Sequence, residues 1–263
     1  MVDIHTHLLF GVDDGPETLE ESIKLIELGK KLGYSEFILT SHFGKGRFQN
    51  QNYDKNFEIL KSECEKLNLG IVLHRGNEIY LDENISEILK EKRFYTLGER
   101  YLLVEFSPLT IPGVAEGMLK RVISAGYIPI LAHIERYKHF RGSDLVRLKN
   151  LGVKLQVNIS GAFHKKSVER LLKEGYIDFL GSDTHRLGKR DYNLVDELID
   201  IKKSVGEELL RKMTLTNGKK ILNSQEIEED FGDEEKVSSG SFFSAFFGGI
   251  FKGARARRDL KQG

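Results

Sequence analysis

The sequence predicts an α/β fold in which seven βα units build a parallel sheet, closed or nearly closed into a barrel. Two observations carry this expectation. Short β-rich runs alternate with amphipathic helical stretches over most of the 263 residues, as they do where crossover helices join parallel strands. Run after run then ends in a histidine or an acid, and a parallel β/α barrel gathers such positions at the C-terminal mouth of its strands. An open, doubly wound sheet is the alternative architecture for the same rhythm.

The first run is Val2–Ile4. Pro16–Ile26 then reads as a helix, with Pro16 in its first turn and Leu19, Ile23 and Ile26 on one face; Gly29 and Gly33 mark its end. Phe37–Thr40 is the second run, a helix around Phe57–Leu67 leads to the third, Ile71–Leu73, and the fourth is Tyr101–Val104. Ile128–Leu131 is the fifth, where Pro129 requires a strand start or an irregular strand. Lys154–Val157 and Ile177–Leu180 complete the set. Helical segments lie around Ala115–Ala125, Asp144–Leu151, Ser167–Glu174 and Val195–Met213.

Bulk properties narrow the functional classes. Lys+Arg and Asp+Glu both number 40, so no global charge points to nucleic acid as a partner. No apolar stretch approaches the roughly 20 residues that span a bilayer, and candidate ligands begin at His5, where a secretory leader would need its charged and apolar regions. The single cysteine, Cys64, rules out an intramolecular disulfide and accords with a cytoplasmic protein. The arginine that a cysteine-based phosphatase carries six positions after its nucleophile is replaced by Gly70. Cys64 is therefore read as an inert surface or half-buried thiol.

Candidate ligands follow the apolar runs. His5 and His7 close the first, His42 follows the second, Glu78 the third, Glu105 the fourth, His133 the fifth, and Asp183 with His185 the seventh; Asp14 lies in the loop after the first. Only the sixth departs, offering Asn158. Each has a bland structural reading: His42 or His133 as a hydrogen-bonded core histidine, Glu105 as an ion-pair partner, Asp183 as a helix cap. Together, five histidines and four carboxylates at one mouth would suffer severe desolvation and repulsion without cations. Nitrogen and oxygen donors without sulfur suit a hydrolytic cluster of two or three metals rather than a closed structural zinc site. Clustered metals match phosphoester hydrolysis. Arg136 and Arg190 would sit at the same mouth, where a guanidinium grips phosphate bidentately. His74, His139 and His164 fit no strand-end slot.

These residues carry a resemblance. Asp3-Ile4-His5-Thr6-His7, Val12-Asp13-Asp14-Gly15, Thr40-Ser41-His42, Gly76-Asn77-Glu78-Ile79, Leu103-Val104-Glu105-Phe106, His133-Ile134-Glu135-Arg136-Tyr137 and Ser182-Asp183-Thr184-His185 are similar to the PHP (polymerase and histidinol phosphatase) superfamily. More closely they resemble its bacterial protein-tyrosine phosphatases of the CpsB/CapC type. The resemblance implies a distorted (β/α)7 barrel with a trinuclear, commonly Mn²⁺-dependent site, with Fe, Zn, Co or Mg as alternatives. It implies one metal on His5, His7, Glu78 and Asp183, a second on Glu78, Glu105 and His133, and a third on Asp14, His42 and His185. Arg136 and Arg190 match phosphate-binding arginines. Asp191 stands where many family members have proline, which predicts a less rigid loop after Arg190.

The expected activity is hydrolysis of phosphotyrosine by a metal-bridging hydroxide. The implied partner is a bacterial tyrosine autokinase of capsular or exopolysaccharide synthesis. The runner-up is histidinol-phosphate or another small-molecule phosphoesterase; the non-enzyme alternative is a metal-free regulatory module. Residues 1–224 are expected to form the barrel, and 225–263 an acidic linker followed by a Phe-rich, basic tail. Phe242, Phe243, Phe246, Phe247, Ile250 and Phe251 fall on one stripe if helical, followed by basic residues. That pattern suits peripheral membrane contact through residues 241–261; a flexible tail, or one docked on its own barrel or on another subunit, is the alternative.

Overall fold

The computed structural model describes residues 1–46 and 48–227. Arg47 and the tail segment 228–263, including the Phe-rich stripe and the basic end, lie outside the described residues. Seven strands run in sequence order: β1 Val2–Thr6, β2 Glu36–Phe43, β3 Val72–Tyr80, β4 Tyr101–Glu105, β5 Ile128–Leu131, β6 Lys154–Asn158 and β7 Phe179–Gly181. Each pairs in parallel with the next. The sheet closes where β1 meets the segment after β7: Asp183 N donates to His5 O at 2.9 Å, and His7 N to Thr184 O at 2.8 Å. This is the barrel rather than the open sheet. It is distorted by a register shift between Asp3 and Thr6 and by a short β5–β6 pairing confined to Ile130–Lys154 and Leu131–Leu155.

Strand alternation sorts apolar side chains into two cores. Ile4, Ile38, Leu103, Ile130 and Phe179 form one cluster with Ile221 and Ile227. Leu39, Leu102, Val104, Leu131 and Val157 face the other, against helical residues such as Leu25, Ile26, Leu60, Leu119 and Leu148. Those come from α1 Leu19–Leu32, α2 Tyr53–Lys66, α4 Pro112–Ser124 and α5 Gly142–Asn150. The remaining helices are α3 Ile85–Glu91, α6 Lys166–Lys173, α7 Val195–Arg211 and α8 Asn217–Leu222. None of the described helices is long and apolar enough to cross a membrane.

Several elements differ from expectation. Pro16 lies before α1, whose N-cap is Thr18: its hydroxyl accepts from Glu21 N at 3.2 Å. Gly33, at φ 105°, ends the helix, but Gly29 lies inside it. A Cβ on Gly29 would come within 2.7 Å of Phe37 Cε1 and 2.9 Å of Tyr192 Cε2, so this glycine serves close packing rather than termination. β2 and β3 run beyond their apolar cores and carry His42 and Glu78 inside the strands. α3 has no counterpart in the sequence pattern, because its buried positions, Ile85, Ile88 and Leu89, are too few to stand out among charges. The long helix near 195–213 is broken at Gly206 (φ 82°, ψ 170°) and passes through a π-turn, Lys212–Thr216, into α8. Cys64 is buried, with 4% of its surface exposed, and burial pushes its thiol up to about 11. That suits an inert residue.

Candidate metal centre

All nine predicted ligands converge at the C-terminal mouth. β1 delivers His5 and, just past its end, His7; their Nε2 atoms lie 3.3 Å apart. His42 and Glu78 are register partners on β2 and β3, and Glu105 ends β4. His133 and Asp183 follow β5 and β7 in the left-handed region, at φ 33° and 54°. This is an uncommon conformation for non-glycine residues, and the surrounding structure holds it in place. His185 stacks on His7 at 3.8 Å between ring centres.

The donor atoms fall into four overlapping groups, each compact enough to hold an ion: His7, Asp14, His42 and His185; His5, His7 and Asp183; His5, Glu78 and His133; and His42, Glu78 and Glu105. The grouping puts His7 beside the Asp14 set as well. Glu105 stands between His42 Nδ1, at 3.5 Å, and His133 Nε2, at 3.6 Å. Glu78 is the hub. Its Oε2 lies 3.2 Å from His7 Nε2 and from His42 Nδ1, and 3.4 Å from His5 Nε2, yet this buried atom makes no well-directed hydrogen bond. The buried Nε2 of His185, 3.4 Å from Asp14 Oδ1, likewise makes no well-directed hydrogen bond. Buried donors left unsatisfied around a common space, in a set free of sulfur, fit divalent cations.

The electrostatics follow from this crowding. Burial alone would raise Glu78 and Asp183, but the charges of His5 and its neighbours hold both below the ordinary carboxylate range. Glu105 is the counterweight: burial and the nearby Glu78 charge push it up to about 9. Burial lowers His42, His133 and His185, which favours the neutral imidazole that binds metal.

Both arginines reach the centre. Arg136, in a short 3₁₀ turn after His133, hydrogen-bonds Asp183 Oδ2 through Nη2. Arg190 Nη1 meets the same oxygen at 3.1 Å, and its Nη2 lies 3.7 Å from Asp14 Oδ2. The loop beyond Arg190 is tethered despite lacking proline, since Asp191 accepts from Gly188 N at 2.9 Å and Asn193 N at 3.0 Å.

Three residues escaped the strand-end pattern. Asp13, neighbour of Asp14, grips His7 Nδ1 at 2.7 Å. Gln156 and Asn158 on β6 hydrogen-bond beneath the cluster; two amides alternating in an otherwise apolar run were the available signal. Of the histidines left out, His74 pairs with Glu36 at 3.1 Å on the flank of the barrel.

A parallel β/α barrel holding such donors at its mouth defines the barrel metallohydrolase class. Residues 1–223 match the family described as "Capsular polysaccharide synthesis, CpsB/CapC", and the chain belongs to that family. It is 34% identical over 243 residues to the tyrosine-protein phosphatase CpsB of Streptococcus agalactiae serotype III, covering 86% of this chain and 100% of the relative. It is 28% identical to the tyrosine-protein phosphatase YwqE of Bacillus subtilis, over 86% of this chain and 93% of YwqE. A crystal structure from work on YwqE of Bacillus subtilis and CpsB of Streptococcus pneumoniae, described as metal-dependent tyrosine phosphatases, superposes with a TM-score of 0.78. It shares 27% identity, over 90% of this chain and 100% of that one.

Proposed function

We infer that this chain is a metal-dependent protein-tyrosine phosphatase of capsular polysaccharide synthesis. Its substrates are phosphotyrosines of a bacterial tyrosine autokinase, and Mn²⁺ is its physiological ion. The observation that carries the reading is two arginines converging on Asp183 Oδ2 beside four overlapping ion-holding groups. Together with family membership it favours an anionic phosphoryl substrate. His5, His7, Asp14, His42, Glu78, Glu105, His133, Asp183 and His185 would hold the ions. Divalent cations there supply Lewis acidity, activating water and drawing charge from phosphoryl oxygens.

The chain's own residues do the rest. Arg136 and Arg190 exchange Asp183 for the phosphate, orienting it by charge-assisted hydrogen bonds. Phe48 stacks on His42 with ring centres 5.7 Å apart and planes at 17°, and is placed to border the ring of a phosphotyrosine. A tyrosine leaves as phenolate, whose conjugate acid has a pKa near ~10, so modest stabilisation of the leaving oxygen suffices.

Purified protein should hydrolyse phosphotyrosine peptides in preference to histidinol phosphate. Activity should fall with a chelator and return with Mn²⁺. Full activity after metal stripping would refute the mechanism, and preference for histidinol phosphate would refute the substrate. Residues 1–224 are taken as the catalytic unit, working in the cytoplasm. The Phe-rich and basic composition of 241–261 supports peripheral contact with an anionic membrane. Equal liposome partitioning of full-length and Gln225-truncated protein would refute that contact.

A further inference from the structure

We propose that Gln156, on β6, whose end offers no candidate ligand, is a positioning residue that fixes the tautomer of His5 and braces His133 and Asp183 through an amide relay. Gln156 Oε1 lies 2.8 Å from the backbone N of His133 and 3.0 Å from His5 Nδ1. Gln156 Nε2 donates to Asn158 Oδ1 at 2.9 Å, and Asn158 Nδ2 donates to Asp183 Oδ2 at 2.9 Å. His5, Gln156, Asn158, His133 and Asp183 are all buried.

The direction of every bond in this chain is determined from both ends. A backbone N–H can only donate, so the Gln156 atom facing His133 must be its oxygen. That oxygen can only accept, so His5 must carry its proton on Nδ1. When His5 gives up its second proton to bind a cation, its lone pair is thereby placed on Nε2, the atom 3.4 Å from both Glu78 Oε2 and Asp183 Oδ1. From the other end, the Asp183 carboxylate requires an NH₂ group from Asn158, which turns the Asn158 oxygen toward the Gln156 NH₂. The two ends agree.

The relay also accounts for two local features. The bond to His133 N anchors a residue held at φ 33°. Gly181 on β7 leaves the space, because a Cβ there would lie 2.7 Å from Gln156 Nε2 and 2.8 Å from His5 Cβ. The two histidines of the first strand are thus oriented differently: His7 by the carboxylate of Asp13, His5 by a neutral amide that is shared with two further candidate ligands. Partners of this kind set the ring orientation and donor atom of metal-binding histidines.

This rests on the metal-centre reading but not on the substrate, so the test is Mn²⁺ affinity, measured by chelator competition on full-length protein. Gln156→Leu removes the acceptor and should weaken binding of Mn²⁺ by about 10–100-fold. Gln156→Glu keeps an acceptor for both His5 and His133 but turns a carboxylate oxygen instead of an NH₂ group toward Asn158 Oδ1, so it should lose clearly less than Gln156→Leu without reaching wild type, a partial rescue that loss of packing alone would not give. Melting of the metal-stripped proteins accompanies both. Wild-type affinity in Gln156→Leu, or equal losses in the two variants, overturns the relay. If Gln156→Leu does not fold, Asn158→Ala, which cuts the link between Gln156 and Asp183, decides alone, and wild-type affinity in it overturns the proposal. Wild-type protein that binds no Mn²⁺ overturns the metal centre itself, and the relay with it.

Discussion

Asp13 Oδ2 accepts a 2.7 Å hydrogen bond from His7 Nδ1, and the same oxygen accepts from the His42 backbone N at 2.9 Å. One buried carboxylate thus orients one candidate ligand by its ring and another by its main chain. Asp13 Oδ1 meanwhile accepts from Gly15 N at 3.0 Å, closing the loop that presents Asp14. The His7 charge and hydrogen bond overcome burial and hold Asp13 below the usual carboxylate range.

Asp13→Asn should therefore cost about 10–100-fold in metal affinity or activity at limiting Mn²⁺ while leaving the fold intact. Metal content after dialysis, with circular dichroism as the control, checks this. Full metal retention would remove Asp13 from the centre.

Arg136 and Arg190 share Asp183 Oδ2. A hydrogen bond to a charged group contributes about 1.5–3 kcal/mol, so each alanine variant should lose roughly 10–150-fold in kcat/KM on a phosphotyrosine peptide. Because the two share a partner, the double variant should lose less than the product of the single losses. Lysine should restore only part, lacking the planar fork. Steady-state kinetics of the two alanine, two lysine and double-alanine variants would show this.

Glu105 sits near a pKa of about 9 without metal, so it holds a proton at pH 7. A cation needs the carboxylate form, so uptake should release protons at pH 7, and affinity should climb until about pH 9. The sign for the metal-free fold is opposite. Between the unfolded value near ~4.3 and the folded value, the native state binds more protons than the unfolded one. This contribution to stability is fully present at the low end and is lost as pH rises through the folded value. Calorimetric titration in buffers of different ionisation enthalpy measures the release; none at pH 7 would contradict it.

Glycines provide a contrast in stability. A Cβ on Gly15 would collide with the His7 carbonyl, so Gly15→Ala should cost about 1–3 kcal/mol and displace the Asp14 loop, lowering both the melting temperature and activity. Gly117, inside α4, has nothing within 4 Å of an added Cβ. Gly117→Ala should stabilise by about 0.5–1 kcal/mol, judged by thermal melts.

Much of the barrel was readable because strand and helix periods are local properties. Ile128–Leu131 was bounded correctly from its apolar run alone. Strand lengths were underestimated wherever a functional residue interrupted the apolar pattern, as His42 does in β2 and Glu78 in β3. Gly29 looks like a stop in the sequence because nothing in its neighbourhood shows Phe37 and Tyr192 closing on the same spot from distant segments.

The chemistry at the strand ends is legible in one dimension, because a parallel barrel turns the order of strand ends into a ring at one mouth. Which atoms face one another is a property of three dimensions. Asp13 and Asp14 are equivalent neighbours in the sequence, yet in the fold one braces His7 and the main chain of His42 while the other lies beside the His42 and His185 rings. Gln156 and Asn158 look like unremarkable amides on a strand without ligands. They acquire a role only because β6 lies within hydrogen-bond reach of His5, more than 150 positions away, and hydrogen bonds act over about 3 Å of space regardless of distance along the chain.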